Sequence, residues 1–595
     1  MSERLVMDGT PASPGIVIGP AYVVLWELPR VPHSTIPAGA VASELERFRE
    51  AREATRVRLE EIKAKTAERL GHVEAQIFEP QLMMLQDVEL VEDVEGYIRE
   101  NHLSAARALE LRMLEFQSEW RGTGHPMVMD RLNDLVDLET RMLRHLMGLS
   151  GPDGLLEKID RPVILVGRDF TPSLTVQLDP SRILGLATDA GTRTSHSAIL
   201  ARALRIPAVV GLGNLASAVE DGDELILDGR AGRVIVCPAE EERSVYRERD
   251  IQVREWEQEL VLLAHLDAVT PDRQQVTLRA NIDMPGEAEN AREHGAQGIG
   301  LFRTEFLVVG RRSMPEEESQ YQAYKQVAAA FPSQTVIIRT FDLGGDKFPL
   351  FLNMPTEENP YLGWRAIRVC LDMPDLFRTH LRAMLRATVH GDLRIMLPLI
   401  TELDELKQAR VILEEEEDRL NADGIPFNPG YKVGVMIETP AAALSAAQLA
   451  RYADFFSIGS NDLTQYTLAV DRNNAKLAPR FSPYHPALLE MFRRTADAGR
   501  AAGLEVSVCG ELAASPLGIY LLLGLGITAF SMAPAALPEI KKVIRSVSAS
   551  HARERVAEAL EAPDSGTVRE ILTSGLGEWV DLSLYAGRWN LSRPG

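Results

Sequence analysis

The rhythm of hydrophobic and polar positions changes several times along the 595-residue chain. A Gly/Pro turn, SPG, leads into the β-like run IVIGPAYVVL, and strand character then almost vanishes across residues 40–148. Within that block ASELERFREAREATRVRLEEIKAKTAERL (42–70) spaces Leu45, Phe48, Val57 and Ile62 among charges, as an amphipathic helix does. Similar patterns in ALELRMLEFQSEW (108–120) and RLNDLVDLETRMLRHLMGL (131–149) predict three to five helices. Strand patterns return at PVILVG (162–167), ILGLATD (183–189), AVVGLG (208–213), ELILDG (224–229) and RVIVCP (233–238). Because a strand also precedes the helical block, the block reads as an insertion in a small α/β domain. The charged, helix-favouring stretch 239–266 predicts a helical linker.

From about residue 270 strand and helix signals alternate. The candidate strands are VTLRANI (276–282), GIGLFRTEF (298–306), TVIIRTFDL (335–343), LRIMLPLI (393–400), YKVGVMIE (431–438), FFSIGSNDL (455–463), LEVSVCGEL (504–512) and ITAFSMAP (527–534). Eight strands with intervening helices match a (β/α)₈ TIM barrel. An open doubly wound sheet has the same alternation, but no Gly-x-Gly-x-x-Gly follows an early strand.

Barrel active sites lie at the C-terminal ends of strands. Those ends carry Arg303-Thr304-Glu305, Arg339 with Asp342, Glu438, Asn461-Asp462, and Cys509 with Glu511. Polar residues recurring at one end of otherwise apolar strands imply a polar barrel mouth. Arg303, Arg339, Arg365 and Arg472 supply planar forks suited to phosphate and carboxylate. Glu438 and Asp462 are hard oxygen donors, too few for calcium and suited to Mg²⁺, which keeps waters and substrate ligands. The competing reading of that pair is a rim salt bridge to one of the arginines. Cys509 is a candidate proton donor or nucleophile, although spacing alone favours a buried small hydrophobe.

In the first half, GTRTSHSAILARALRIPAVVG (191–211) places His196 at a helix start, behind a turn built from Gly191, Thr192, Thr194 and Ser195. Free N–H groups and the positive dipole end there favour a phosphoryl group and a neutral, nucleophilic imidazole. His485, in PYHPALL, reads as a helix-start residue without a chemical role.

Composition narrows the setting. Lys plus Arg is 64 against 86 Asp plus Glu, a formal net charge of −22, which disfavours general nucleic-acid binding. Cys237, Cys370 and Cys509 form no CxxC pair, which excludes a disulfide framework. The start MSERLVMDGTPASPG lacks a signal-peptide pattern, and GIYLLLGLGI (518–527) is too short for membrane insertion. A cytoplasmic, multidomain protein is expected.

With these residues in view the chain closely resembles the enzyme I family of the bacterial phosphoenolpyruvate:sugar phosphotransferase system. The pieces that carry the resemblance include SPGIVIGPAYV, GTRTSHSAILARALRIPAVVG, GIGLFRTEFL, RTFDLGGDK, ENPYLGWRAIR, VGVMIETPAAA, FFSIGSNDLTQYTLAVDRNN and VCGELAA, in family order. The resemblance implies a swivelling phosphohistidine α/β domain (1–28 plus 149–238) and an inserted helical domain (29–148) that docks the phosphocarrier protein HPr. A linker (239–266), a TIM-barrel phosphoenolpyruvate-binding and dimerisation domain (267–575) and a tail without assigned role (576–595) complete it. It further implies that His196 accepts the phosphoryl group, and that Arg303, Arg339, Arg365, Arg472, Asn461 and Lys347 hold phosphoenolpyruvate. Glu438 and Asp462 bind Mg²⁺ on this reading, Cys509 protonates the enolate to pyruvate, and the chain forms a homodimer.

The carrier would dock on IFEPQLMMLQD (77–87), with Phe78, Leu82, Met83 and Leu85 as an apolar patch beside Glu79 and Asp87, or that stripe is bundle core. VSVCGELAAS lacks the acidic residues common just after the Ala in this family, and the nitrogen-related branch, whose members carry a sensory domain ahead of these segments, is the less expected one. The rivals are a dikinase- or synthase-like phosphoenolpyruvate-utilising enzyme, for which the region before His196 leaves no room for a nucleotide module, and a non-catalytic regulatory homologue.

Overall fold

The computed structural model describes residues 4–585 apart from 25–28, 34, 70–74, 124–125, 150–158, 171–173, 176–177, 193–194, 309–312, 345–356, 473 and 475. The side chains of 69, 76, 119–133, 196 and 583 also lie outside the described part. The chain divides after Arg254 into two compact units.

The first unit is built on an eight-stranded sheet of order β1-β8-β7-β3-β4-β5-β6-β2. Its strands are β1 (Leu5–Asp8), β2 (Thr10–Ser13), β3 (Ile16–Val24), β4 (Val163–Gly167), β5 (Ile183–Thr188), β6 (Ala208–Val210), β7 (Glu224–Asp228) and β8 (Arg233–Val236). The β3, β4, β5 and β6 neighbours run parallel and the remaining pairs antiparallel. β1 and β2 escape the sequence reading because they are four-residue edge strands; in β1, Leu5 and Val6 stay exposed, so no alternation marks it.

Between the paired strands β3 and β4 the chain makes a helical excursion: α1 (Val41–Arg69), α2 (Glu79–Leu85), α3 (Val88–Glu100), α4 (Ala105–Thr123) and α5 (Pro126–Leu146). Of the stripe expected on α1, Phe48 and Ile62 are buried and Leu45 packs against the core, whereas Val57 is exposed. For the stripe at 77–87, the bundle-core reading holds for most of its apolar residues. Phe78, Leu82 and Leu85 are core, leaving Met83 at 69% exposure, because the short α2 must bury one face to stay folded. Asp87 caps α3, accepting from the Leu90 N–H at 3.1 Å.

After β5 comes α6 (His196–Ala203), and after β8 comes α7 (Glu240–Leu263). The early part of α7 is tied by Arg243 to Glu224 at 2.6 Å and by Arg249 to Asp228 at 3.3 Å.

The second unit holds a closed, all-parallel barrel of β9 (Thr277–Ile282), β10 (Ile299–Arg303), β11 (Thr335–Arg339), β12 (Asp392–Leu397), β13 (Lys432–Ile437), β14 (Phe455–Ile458), β15 (Glu505–Val508) and β16 (Ala529–Met532). The ladder runs in sequence order and closes β16 on β9, so the expected TIM barrel is present. Strands stop earlier than the apolar runs suggest. Thr304–Leu307 turns into a 3₁₀ helix, and Ser460–Leu468 opens an α-helix two residues after β14, so Asn461 and Asp462 lie in a helix's first turn. The apolar run near 518 is the short buried helix Pro516–Gly524, and no described helix is long and apolar enough to cross a membrane.

Candidate active site

The strand-end residues predicted from sequence converge on one hydrogen-bonded charge cluster. Arg339, the last residue of β11, is buried and pairs through Nη2 with Glu305 at 2.5 Å and Asp342 at 3.2 Å. Arg365 donates from Nε and Nη2 to the two oxygens of Asp342 at 2.8 and 2.9 Å, and from Nη2 to Asp462 Oδ2 at 2.8 Å. Both guanidiniums are held firmly in the charged form; burial works against it, and the adjacent carboxylates outweigh burial. Arg472, exposed at the rim, reaches Asp462 Oδ1 at 3.4 Å. Arg303, at the end of β10, donates to Asp283 at 2.8 Å. The salt-bridge reading therefore holds for Asp462, which pairs with two arginines, and not for Glu438, for which no ion pair forms among the described residues.

Backbone strain marks the same mouth. Ala366, directly after Arg365, has φ +55°, and Leu399 has φ +56°. Each such residue costs on the order of 1–3 kcal/mol and persists only where surroundings impose it. The strained Leu399 aims its N–H at Glu438 Oε1, 2.6 Å away. Gly344 has φ +113°, and a Cβ there would sit 2.7 Å from the Trp364 carbonyl oxygen and 2.9 Å from Arg365 Cα. That close approach, possible only without a side chain at Gly344, lets the backbone pass against the arginine.

Among the described residues Glu305, Asp342, Glu438 and Asp462 are all buried in this cluster, against Arg339 and Arg365 as its buried cations. Burial first, then the charges of Asp462 and Asp342, push the Glu438 carboxyl up to about 8, despite the pull of both arginines. Asp462 Oδ1 is buried with no hydrogen bond among the described residues, its one near cation being the long 3.4 Å contact to Arg472. Surplus buried negative charge and a carboxylate oxygen without a hydrogen bond among the described residues are what a small, hard divalent cation would relieve, so the donor set fits Mg²⁺. No group of three or more metal-binding side chains forms among the described residues, which leaves water and an anionic substrate to complete such a shell.

Cys509 is 4% exposed, packed with Leu301, Ile337, Met396, Met436 and Phe455, and burial pushes its thiol up. It thus lies in the apolar interior of the barrel and keeps its proton near neutrality. Asn461 Oδ1 accepts the Glu511 N–H at 3.2 Å. His485 caps the helix Pro486–Ala502, its Nδ1 accepting from the Ala487 N–H, as expected of a residue with a structural task. Lys347 lies outside the described residues.

In the first unit α6 begins at His196 with Ser195 as its N-cap, and the Ser195 and Ser197 hydroxyls lie 3.1 Å apart. Ser197 also donates to Asp169 at 3.3 Å. Gly191, at φ +107°, brings the preceding turn against Ser195 and Val210. The His196 side chain and Thr194 lie outside the described residues.

Sequence reasoning gave no role to Tyr466 or Asp283. The signal for Tyr466 was present, since it follows Asp462 by four residues and so shares its helix face.

Comparison with known proteins agrees with this architecture. Three family descriptions match in order: "PEP-utilising enzyme, N-terminal" over residues 8–131, "PEP-utilising enzyme, mobile domain" over 159–232 and "PEP-utilising enzyme, PEP-binding domain" over 257–549. A phosphoenolpyruvate-protein phosphotransferase of Geobacillus stearothermophilus is 40% identical over 568 residues, 95% of this chain and 97% of its own. Proteins of the same name from Listeria monocytogenes (40% over 570 residues, 95% and 98%) and Staphylococcus carnosus (38% over 566 residues, 95% and 98%) are similarly related. A solution structure of an Enzyme I protein is 37% identical and covers 42% of this chain and 99% of its own, at a TM-score of 0.35. With two-fifths of its residues shared across nearly its whole length, the chain belongs to the phosphoenolpyruvate-protein phosphotransferase family and is an enzyme.

Proposed function

We propose that the chain moves the phosphoryl group of phosphoenolpyruvate onto His196 and then onto the phosphocarrier protein HPr, the first step of the sugar phosphotransferase system. The observation that carries this reading is the buried charge cluster of the barrel mouth, where paired arginines stand against surplus carboxylates. Arg303, Arg339, Arg365, Arg472, Asn461 and Lys347 bind and orient the phosphate and carboxylate, neutralising charge on the equatorial oxygens. The bond from phosphorus to the enol oxygen breaks, its electron pair stays with the enolate, and a nitrogen–phosphorus bond forms on the imidazole. Cys509 gives its proton to the enolate carbon, which yields pyruvate, and solvent reprotonates the thiolate.

Enzymes of this group use a divalent metal, and Glu438 and Asp462 suit Mg²⁺, which when bound supplies positive charge at the phosphate and enolate oxygens. The segment boundaries given above divide the work: the sheet with α6 carries the acceptor, α1–α5 receive the carrier, and the barrel binds the donor and forms the dimer. Acceptor and donor belong to different units, so α7, which joins them, serves as the hinge. The expected site of action is the cytoplasm.

Incubation with ³²P-phosphoenolpyruvate and Mg²⁺, followed by mapping of acid-labile phosphate, tests the reading. Label is expected on His196, passed on to HPr, and absent from His196→Ala. Label retained by His196→Ala, or none on the wild-type chain, would overturn it.

A further inference from the structure

Four of the five guanidinium N–H groups of Arg365 are committed. Asp342 takes two and Asp462 a third, and Nη1 donates the fourth to the Tyr466 hydroxyl at 3.0 Å. That hydroxyl donates its own hydrogen to the Tyr361 carbonyl at 2.5 Å, so it faces Arg365 purely as an acceptor. Tyr361 belongs to the turn Pro360–Leu362, four residues before Arg365, and its ring lies 5.7 Å from the Arg365 guanidinium. Tyr466 sits on the helix Ser460–Leu468, one turn after Asp462. One hydroxyl thus ties the segment that carries Arg365 to the helix that carries Asp462. The positive φ of Ala366 shows that this segment holds a conformation its own residues do not favour. Burial pushes the phenol up to about 12, so it stays protonated at neutral pH.

We propose that Tyr466 is a positioning residue: it locks the Arg365 guanidinium in one orientation and leaves a single Nη1–H for an oxyanion of phosphoenolpyruvate. The inference rests on the function proposed above and assigns Tyr466 no contact with substrate. Without the hydroxyl, Nε and Nη2 keep their carboxylate partners while the Nη1 end loses its anchor, and holding that end in place falls to the substrate.

Tyr466→Phe in the full chain deletes the hydroxyl and keeps the ring. It is expected to raise KM for phosphoenolpyruvate about tenfold with kcat within about threefold, the signature of lost ground-state binding by one charged hydrogen bond. A hydroxyl that served only stability would lower the melting temperature and leave KM unmoved. The double variant with Arg365→Lys should have the KM of Arg365→Lys alone, because the hydroxyl acts through that fork; additive losses would overturn the proposal. Fluorinated tyrosine at 466, which weakens the acceptor and preserves shape, covers the case in which Tyr466→Phe does not fold. KM should climb with fluorination, and a KM indifferent to it overturns the proposal. Wild-type protein that releases no pyruvate from phosphoenolpyruvate would remove the function itself, and this inference with it. Wild-type turnover with an unmoved KM in Tyr466→Phe would remove the inference alone.

Discussion

Glu438→Gln in metal-free protein probes the electrostatics of the barrel mouth directly. The wild-type carboxyl is driven from its ordinary 4.5 up to about 8, by burial and then by Asp462 and Asp342. Between those pH values the folded chain holds a proton that the unfolded chain has released. Folding therefore binds protons in this window, and stability must fall as pH rises through it. The contribution is fully present below about pH 4.5 and gone above about pH 8. At about 1.4 kcal/mol per pH unit of displacement, the loss is of the order of a few kcal/mol. Gln cannot ionise, and its amide oxygen can still accept the Leu399 N–H. Calorimetry of the EDTA-treated full chain between pH 5 and 9 should show the wild-type barrel transition falling by roughly 4–8 °C. The variant should stay nearly level over that range and overtake the wild type at the alkaline end. Mg²⁺ added at alkaline pH should lift the wild-type transition and leave the variant nearly unmoved. Parallel wild-type and variant curves would refute the argument, because the Glu438 carboxyl would then titrate alike in folded and unfolded chains.

Asp342→Asn leaves two buried guanidiniums without their shared carboxylate, so it should destabilise the barrel by about 3–5 kcal/mol and abolish pyruvate release. A loss below about 1 kcal/mol by chemical denaturation would mean the pairing energy has been misassigned. Cys509→Ala should lower kcat by about 10²–10⁴ with KM little changed, as for loss of a proton donor. The enolate would then be protonated without facial preference, read from the chiral methyl group of pyruvate made from stereospecifically monodeuterated substrate in tritiated water; retained preference would exclude the thiol.

The barrel, the helical insertion and the strand-end arginines were legible in the chain. Periods of two and of 3.6 residues record which side chains each element buries, and eight alternations leave few ways to cover a parallel sheet on both faces. The charged residues stood out because they interrupt apolar runs at the same end of each strand. Short edges and partial faces were not legible. β1 is paired by backbone groups that every sequence carries, and the stripe on α2 reads alike whether it covers the bundle core or meets a carrier. Only burial separates those two readings, and it assigns Phe78, Leu82 and Leu85 to the core.

Spacing likewise supplied Glu438, Asp462 and Arg365 as candidates without their relations. Which carboxylate an arginine takes depends on where three separate loops end in space. It was closure of the barrel that gave Asp342 to Arg339 and Arg365, gave Asp462 to Arg365 and Arg472, and left Glu438 buried without an ion pair among the described residues. The order of residues along the chain determines what each segment can bury. Desolvation and hydrogen-bond geometry, which set the charge and readiness of a site, exist only once distant segments meet.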